Sequence, residues 1–299
     1  MTPVLSVIMA NYNNASYIEA AIDSVIQQSF QDWELLVLDD ASTDNSSEKI
    51  HSFNDPRIRA LKNEHNLGYI GSLKRLIKEA NTDVICILDS DDVLVEHALG
   101  EMHKAYLENP DCGFIYSNFS ICDQDLNVLY EHGKNRAIPA GESNLTCDCV
   151  SHFKTFRKSA YLQTKGYSEQ ILYAEDKDIS YKLEEVTGLF FVDQVLYKYR
   201  VLPDSQSNDP VKAKIGEASF DLAKFYAYKR RKKSGFTSIS KETVQNILDS
   251  RISILAAESL LCQLKHILLC AYSLQPLRVS YLMLYIKCYV GELLKSDAR

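Results

Sequence analysis

An α/β fold built on a mostly parallel sheet, with a helical extension behind it, is predicted from three observations. Short runs of β-branched and aliphatic residues alternate with helical periodicities through the first 120 residues, the pattern of a doubly wound sheet. The runs are almost continuously apolar, as strands are when helices cover both faces. Beyond Pro203 the texture changes, with apolar positions three and four apart from about 243 to 295, which is helical spacing.

In chain order, strands are expected at "VLSVIMA" (4–10), "WELLVLD" (33–39), "IRALK" (58–62), "VICILD" (84–89) and "CGFIYSNF" (112–119). Helices are expected at 16–28, 44–53, 70–80 and 93–108. Residues 121–150 depart from this rhythm, with a short hairpin in "ICDQDLNVLYEHG" and a loop carrying Pro139 and Gly141. A helix is expected over "CVSHFKTFRKSAYLQTKGY" (149–167), ended near Gly166. The next lies in "YAEDKDISYKLEEVTG", where Ile179 and Leu183 are four apart and Val186 three further on. "LFFVDQVLYKYRV" (189–201) reads as strand, and "SLQPL" (273–277) breaks the last two helices.

The 299 residues are 46% apolar with a net charge of -7, enough for a sizeable core. Residues 201–299 carry a surplus of six basic residues, so the first 200 carry a deficit of thirteen. An acidic front two thirds argues against nucleic acid as a partner. None of the eight cysteines forms a Cys-x-x-Cys pair, and Cys86, Cys262, Cys270 and Cys288 sit in apolar runs. Cys147 and Cys149 flank Asp148, a poor zinc site without further ligands. A reducing, cytoplasmic setting without disulfides is therefore expected. "MTPVLSVIMANYNN" lacks the basic flank and long apolar core of a signal peptide, and no uncharged apolar run approaches the length of a spanning helix.

Function in such sheets lies at the carboxyl ends of the strands, and here those ends read "NYNN" (11–14), "DDASTDNS" (39–46) and "DSDD" (89–92). A helix cap opening at 93 would account for Asp91 or Asp92, but not for three carboxylates beside a second acidic strand end. Two such charges about 4 Å apart repel by roughly 4 kcal/mol at an effective dielectric of 20. Hard oxygen ligands of this kind suit a divalent cation bridging to phosphates. Ser42, Thr43 and Asp44 fit a capped loop, whereas Asp39 and Asp40 suit hydrogen bonds to a base or ribose. No glycine follows the first strand, which disfavours both a dinucleotide-binding dehydrogenase and a Walker-type NTPase. Glu175, Asp176 and Asp178 open a helix, where the dipole favours acid; the other reading makes one of them a general base.

The set "LSVIMANYNNASYIEAAIDSVIQQSFQDWELLVLDDASTDNS", "NLGYIGSLKRLIKEANTDVICILDSDDV", "AED" and "LYKYRV" resembles glycosyltransferase family 2 over roughly residues 3–207. The resemblance implies a GT-A catalytic domain at 1–207, with a nucleotide-sugar half to about 120, an acceptor half from 121 to 207, and a helical extension at 208–299. It implies nucleotide contacts from Asn11, Tyr12, Asp39, Asp40, Asp44, Asp89 and Asp91, and Mg2+ or Mn2+ held by Asp91 and Asp92. It implies Asp176 as catalytic base with Glu175 supporting the acceptor side. The reaction would then be inverting transfer from a UDP-sugar to a glycan or polyprenyl-linked acceptor in surface-polysaccharide synthesis. A weakly catalytic sugar-nucleotide-binding protein and a nucleotidyltransferase are the alternatives.

The family often carries a histidine two residues after the "YR" pair, where this chain has Leu202. Lys74 and His152 are candidates for an acceptor or phosphate contact, each against a structural reading. The tail's "YKRRKK" (228–233) and aromatic helices suit packing on the catalytic domain or a homodimer; the alternative is a peripheral contact at the inner face of the membrane.

Overall fold

The computed structural model describes residues 2–169, 171–202 and most of those between 216 and 231. The elements in order are β1 (Leu5–Asn11), α1 (Ile18–Ile26), β2 (Trp33–Asp39), α2 (Ser46–Ser52), β3 (Ile58–Lys62), α3 (Gly68–Glu79), β4 (Val84–Ile87) and β5 (Val93–Leu94). There follow α4 (Ala98–Glu108), β6 (Cys112–Cys122), β7 (Val128–Glu131), α5 (Asn144–Cys147), β8 (Lys154–Arg157), α6 (Lys158–Tyr161), α7 (Glu175–Glu184) and β9 (Gly188–Arg200). One sheet runs β3-β2-β1-β4-β8-β6-β9-β5, with β7 folded back on β6. Pairing is parallel through β3, β2, β1 and β4 and again between β6 and β9. β8 runs against both β4 and β6, and β5 against β9. The mostly parallel α/β sheet expected from the sequence is present.

Alternation along the strands divides the core in two. Leu5, Val7, Met9, Leu35 and Val37 face α1 and α4, packing on Ile18, Ile22, Leu99 and Met102. Ile8, Leu36, Leu38, Ile85 and Ile87 face the other way, onto Leu73, Leu76 and Ile77 of α3 and Ile179 and Leu183 of α7. Successive strand residues point to opposite faces, so continuous apolar runs are what a sheet covered on both sides requires. Each fully buried aliphatic side chain contributes about 1.5–3 kcal/mol.

Three expectations are corrected. The helix expected over 149–167 is instead β8 followed by the single turn α6. Phe153, Thr155 and Phe156 are all buried, and the strand satisfies the facing edges of β4 and β6, which a helix would leave unpaired. The helix expected from 93 begins at Ala98, because residues 93–94 pair with Tyr197 and Lys198 of β9. Asp92 is therefore no helix cap. Finally, Cys147 and Cys149 form a disulfide where free thiols were expected. Asp148 adopts a left-handed conformation, φ 46°, at the end of α5, and that reversal turns the two flanking thiols toward each other.

The described helical residues between 216 and 231 lie against α7. Ala223 and Ala227 pack with Leu145, Ile171, Ala174 and Tyr181. Arg230 pairs with Glu185 at 2.7 Å and the buried Arg231 with Glu184 at 2.6 Å. Two residues of the basic run are thus committed inside the molecule. Among the described residues no helix is long and apolar enough to cross a membrane. The helices expected from 243 to 295, the "SLQPL" break, Cys262, Cys270 and Cys288, and contacts assigned to those helices fall outside the described residues.

Candidate active site

The first wall of the site is the adjacent ends of β1 and β2. Asn11 and Asp39 are register partners, both buried. The Asn11 amide donates to Ser42 Oγ at 3.2 Å and to Asp39 Oδ1 at 3.5 Å. Asp39 Oδ2 is buried without a hydrogen-bond donor among the described residues, although the Lys62 ammonium stands 3.8 Å away. An unsatisfied buried carboxylate oxygen is costly unless a ligand meets it. Tyr12, next along, is 47% exposed.

Asp40 and Asp44 play a different part. Asp40 Oδ1 accepts from Asn63 Nδ2 at 2.6 Å and from the Leu67 N–H at 2.9 Å, tying the strand end to the start of α3, where Gly68 takes φ 75°. Asp44 accepts from the Ala15 and Ser46 N–H groups. Burial tends to raise its carboxyl, but these bonds to Ser46 and Ala15 prevail and hold it below the usual value. Both carboxylates shape the loops around the notch.

The second wall is the end of β4. Tyr69, in the first turn of α3, donates to Asp89 Oδ1 at 2.6 Å. Tyr197 of β9 donates to Asp92 Oδ2 at 2.6 Å and accepts from the Asp89 N–H at 3.3 Å. Asp92 Oδ1 takes the Arg200 N–H at 2.7 Å. Ser90 accepts from Asn14 at 2.8 Å, joining this wall to the loop after β1. Burial, then the charge on Asp89, pushes Asp91 up to about 6, with Arg200 opposing. Asp92 is raised well above its ordinary value by burial and then by Asp91 and Asp89. Three carboxylates crowd this corner, and hard carboxylate oxygens supply what Mg2+ or Mn2+ takes. Asp89, Asp92 and His152 can each present a ligand atom, all within 4.8 Å of one another, so the donor set fits a divalent ion. Asp91, assigned with Asp92 from the sequence, is outside that group.

The third wall is the start of α7. The lead-in residue Tyr173 holds φ 60°, a conformation costing roughly 1–2 kcal/mol in a non-glycine residue. Asp176 lies 3.6 Å from the Lys154 ammonium. Burial would raise its carboxyl, but Lys154, Lys177 and then His152 outweigh that and bring it to about 2. Its neighbour Glu175 goes the other way, raised to about 7 by burial and then by the charge on Asp176. Lys177 reaches back to Asp148 at 2.8 Å, fastening α7 to the loop of the disulfide.

β8 connects the second and third walls. Because it runs antiparallel, its start, not its end, reaches the carboxyl edge of β4. His152 there lies 3.9 Å from Asp89, and Lys154, two residues on, meets Asp176. Lys74 is elsewhere engaged, pairing with Glu169 at 2.9 Å across an exposed surface. Sequence reasoning missed Tyr69, Lys154, Tyr197 and Arg200. The alternation His152, Lys154 and Tyr197, Tyr199 was the available signal, and the helical reading of 149–167 hid the first pair.

Comparison with known proteins places this geometry in a familiar setting. The model described as glycosyl transferase family 2 matches residues 6–164, just over half of the chain. The Escherichia coli protein UDP-Glc:alpha-D-GlcNAc-diphosphoundecaprenol beta-1,3-glucosyltransferase WfgD is 38% identical over 122 residues, 41% of this chain and 48% of that protein. Chondroitin synthase of Pasteurella multocida is 31% identical over 202 residues, 67% of this chain and 21% of that protein. The chain thus spans less than half the length of these relatives. Among solved structures, S. aureus TarS 1-349 in complex with UDP superposes with a TM-score of 0.57 at 19% identity, covering 74% of this chain and 65% of that one. At that identity the likeness speaks for the fold.

Proposed function

The chain belongs to glycosyl transferase family 2, and from that premise we propose that it moves a sugar from a UDP-sugar to a hydroxyl of a glycan or polyprenyl-diphosphate-linked acceptor, with inversion, during polysaccharide synthesis. The observation that carries this reading is that one strand start, His152 to Lys154, touches both the acidic corner at Asp89 and the carboxylate of Asp176. That juxtaposition supports donor and acceptor chemistry within one site. The E. coli relative named for transfer to a diphosphoundecaprenol-linked sugar supports the acceptor class.

In this reading Asp39 Oδ2 accepts a base N–H, and Asn11 and Tyr12 frame the nucleoside. Asp89, Asp91 and Asp92 line the diphosphate end, Asp89 held in place by Tyr69 and Asp92 by Tyr197 and the Arg200 N–H. A divalent cation, when bound, offsets the charge that gathers on the leaving diphosphate. Asp176 is ionised throughout the physiological range, so it can always orient an acceptor hydroxyl. Its low basicity means that it takes the proton only as the glycosidic bond forms and the hydroxyl acidifies. Single displacement on a UDP-α-sugar then gives a β-linkage. Glu175, with a pKa near 7, flanks the acceptor side.

UDP release measured across donor sugars with extracted lipid-linked acceptors tests the reading. Asp176→Asn should lower turnover by about 10²–10⁴-fold while leaving UDP affinity within threefold. Turnover close to wild type in that variant would remove Asp176 from the role of base.

A further inference from the structure

We propose that His152 is the third protein ligand of the divalent cation, alongside Asp89 and Asp92; the inference rests on the metal-assisted reading above. The reversed direction of β8 carries this residue to the carboxyl edge of β4, where sequence order alone would not place it. Its Nδ1 lies 3.9 Å from Asp89 Oδ2, too far for a hydrogen bond and close enough for both atoms to meet one ion.

The imidazole is also held in orientation. It stacks on Tyr197 at 5.0 Å and 19°, lies 5.0 Å from Tyr199, and meets Phe119 edge-on at 5.4 Å. Tyr197 is the same residue whose hydroxyl donates to Asp92. One side chain therefore sets both the ring plane of His152 and the carboxylate opposite it, the arrangement by which outer residues orient metal ligands. Leu202, buried just beyond β9, offers no ligand atom. Two carboxylates and one imidazole leave coordination positions for phosphate oxygens and water, and that mixed set suits Mn2+ as well as Mg2+.

Pulsed electron paramagnetic resonance of the full chain with Mn2+ and UDP reads this directly. The wild-type protein should show modulation from a directly bonded imidazole nitrogen. His152→Leu, which keeps an apolar filler between the tyrosines, should lose that signal and bind Mn2+ at least tenfold more weakly. His152→Asn, with an amide oxygen near the ligand position, should recover part of the affinity without the nitrogen signal. Tight Mn2+ binding with no nitrogen modulation in the wild type overturns the assignment, whether or not the variants fold. So does a nitrogen signal that survives in folded His152→Leu, and so does unchanged Mn2+ affinity in that variant, which would return His152 to an acceptor or packing role. Failure of the wild type to bind Mn2+ even with UDP would overturn the metal-assisted reading itself, and this assignment with it.

Discussion

Replacing Tyr197 by Phe removes one oxygen atom from the centre of the acidic corner and leaves the ring in place. That oxygen donates to Asp92 at 2.6 Å and accepts from the Asp89 N–H at 3.3 Å. A hydrogen bond to a charged group contributes about 1.5–3 kcal/mol, and orphaning the N–H adds about 1 kcal/mol. The ring stacking with His152 and Phe153 survives, so no packing loss is added. The expected destabilisation is about 2–4 kcal/mol, or roughly 4–10 °C in Tm for a chain of this size. Urea unfolding should show a lower midpoint at unchanged slope. The sign of the pH dependence follows from Asp92. Its folded carboxyl is already raised by burial and its acidic neighbours, and the Tyr197 bond opposes that rise. Removing the bond raises it further, so the deficit grows as pH increases and shrinks in acid, where Asp92 is protonated with or without Tyr197. A midpoint within about 0.3 kcal/mol of wild type, or a deficit that shrinks as pH rises, would refute this account of the corner.

Two further perturbations separate ligand contacts from scaffolding. Asp39→Asn should weaken UDP binding at least tenfold by calorimetry while moving Tm by less than about 2 °C, whereas Asp40→Ala, which frees Asn63 and the Leu67 N–H, should cost about 2–3 kcal/mol of stability and leave UDP affinity unchanged. For Glu175, the folded carboxyl near 7 lies above its unfolded value of 4.5, so the folded state favours the protonated form and loses stability as pH rises from about 4.5 to about 7. Glu175→Gln should flatten that slope and gain on the order of 1–2 kcal/mol at pH 8 after discounting for partial exposure; a Tm-against-pH profile parallel to wild type would contradict it.

The parallel strands were legible because a sheet covered on both faces demands uninterrupted apolar residues, and "VIMA" (7–10) and "LLVL" (35–38) have nothing else. Their acidic ends were legible too, since strand-end carboxylates at that density have no simple structural use. Residues 152–157 were not. Their charged and aromatic residues, His152, Phe153, Lys154, Phe156 and Arg157, resemble a helix surface because a strand in mid-sheet does not normally bury lysine. Lys154 is buried here because Asp176 waits for it across the site, a partner 22 positions away that local pattern cannot see. The helix boundary at 93 failed for a related reason. Asp92 looks like a cap, but the donors it meets are the backbone N–H of Arg200 and the hydroxyl of Tyr197, more than a hundred residues on. Asp40 was misleading in the opposite sense, since its neighbour Asp39 has the open oxygen and Asp40 spends its own on α3.

The helical residues between 216 and 231 bear on how short this chain can be made. Arg231 reaches Glu184, the Tyr181 carbonyl and Ser143, while Ala223 and Ala227 lie on Tyr181 and Ala174. A polypeptide stopped at 207 would bare Ala174 and Tyr181 together with Glu184 and Glu185 along the far side of α7, the helix that begins with Glu175 and Asp176. The smallest soluble, competent fragment should therefore extend at least to Arg231, and trimming from the carboxyl end should show a sharp threshold there instead of a gradual decline.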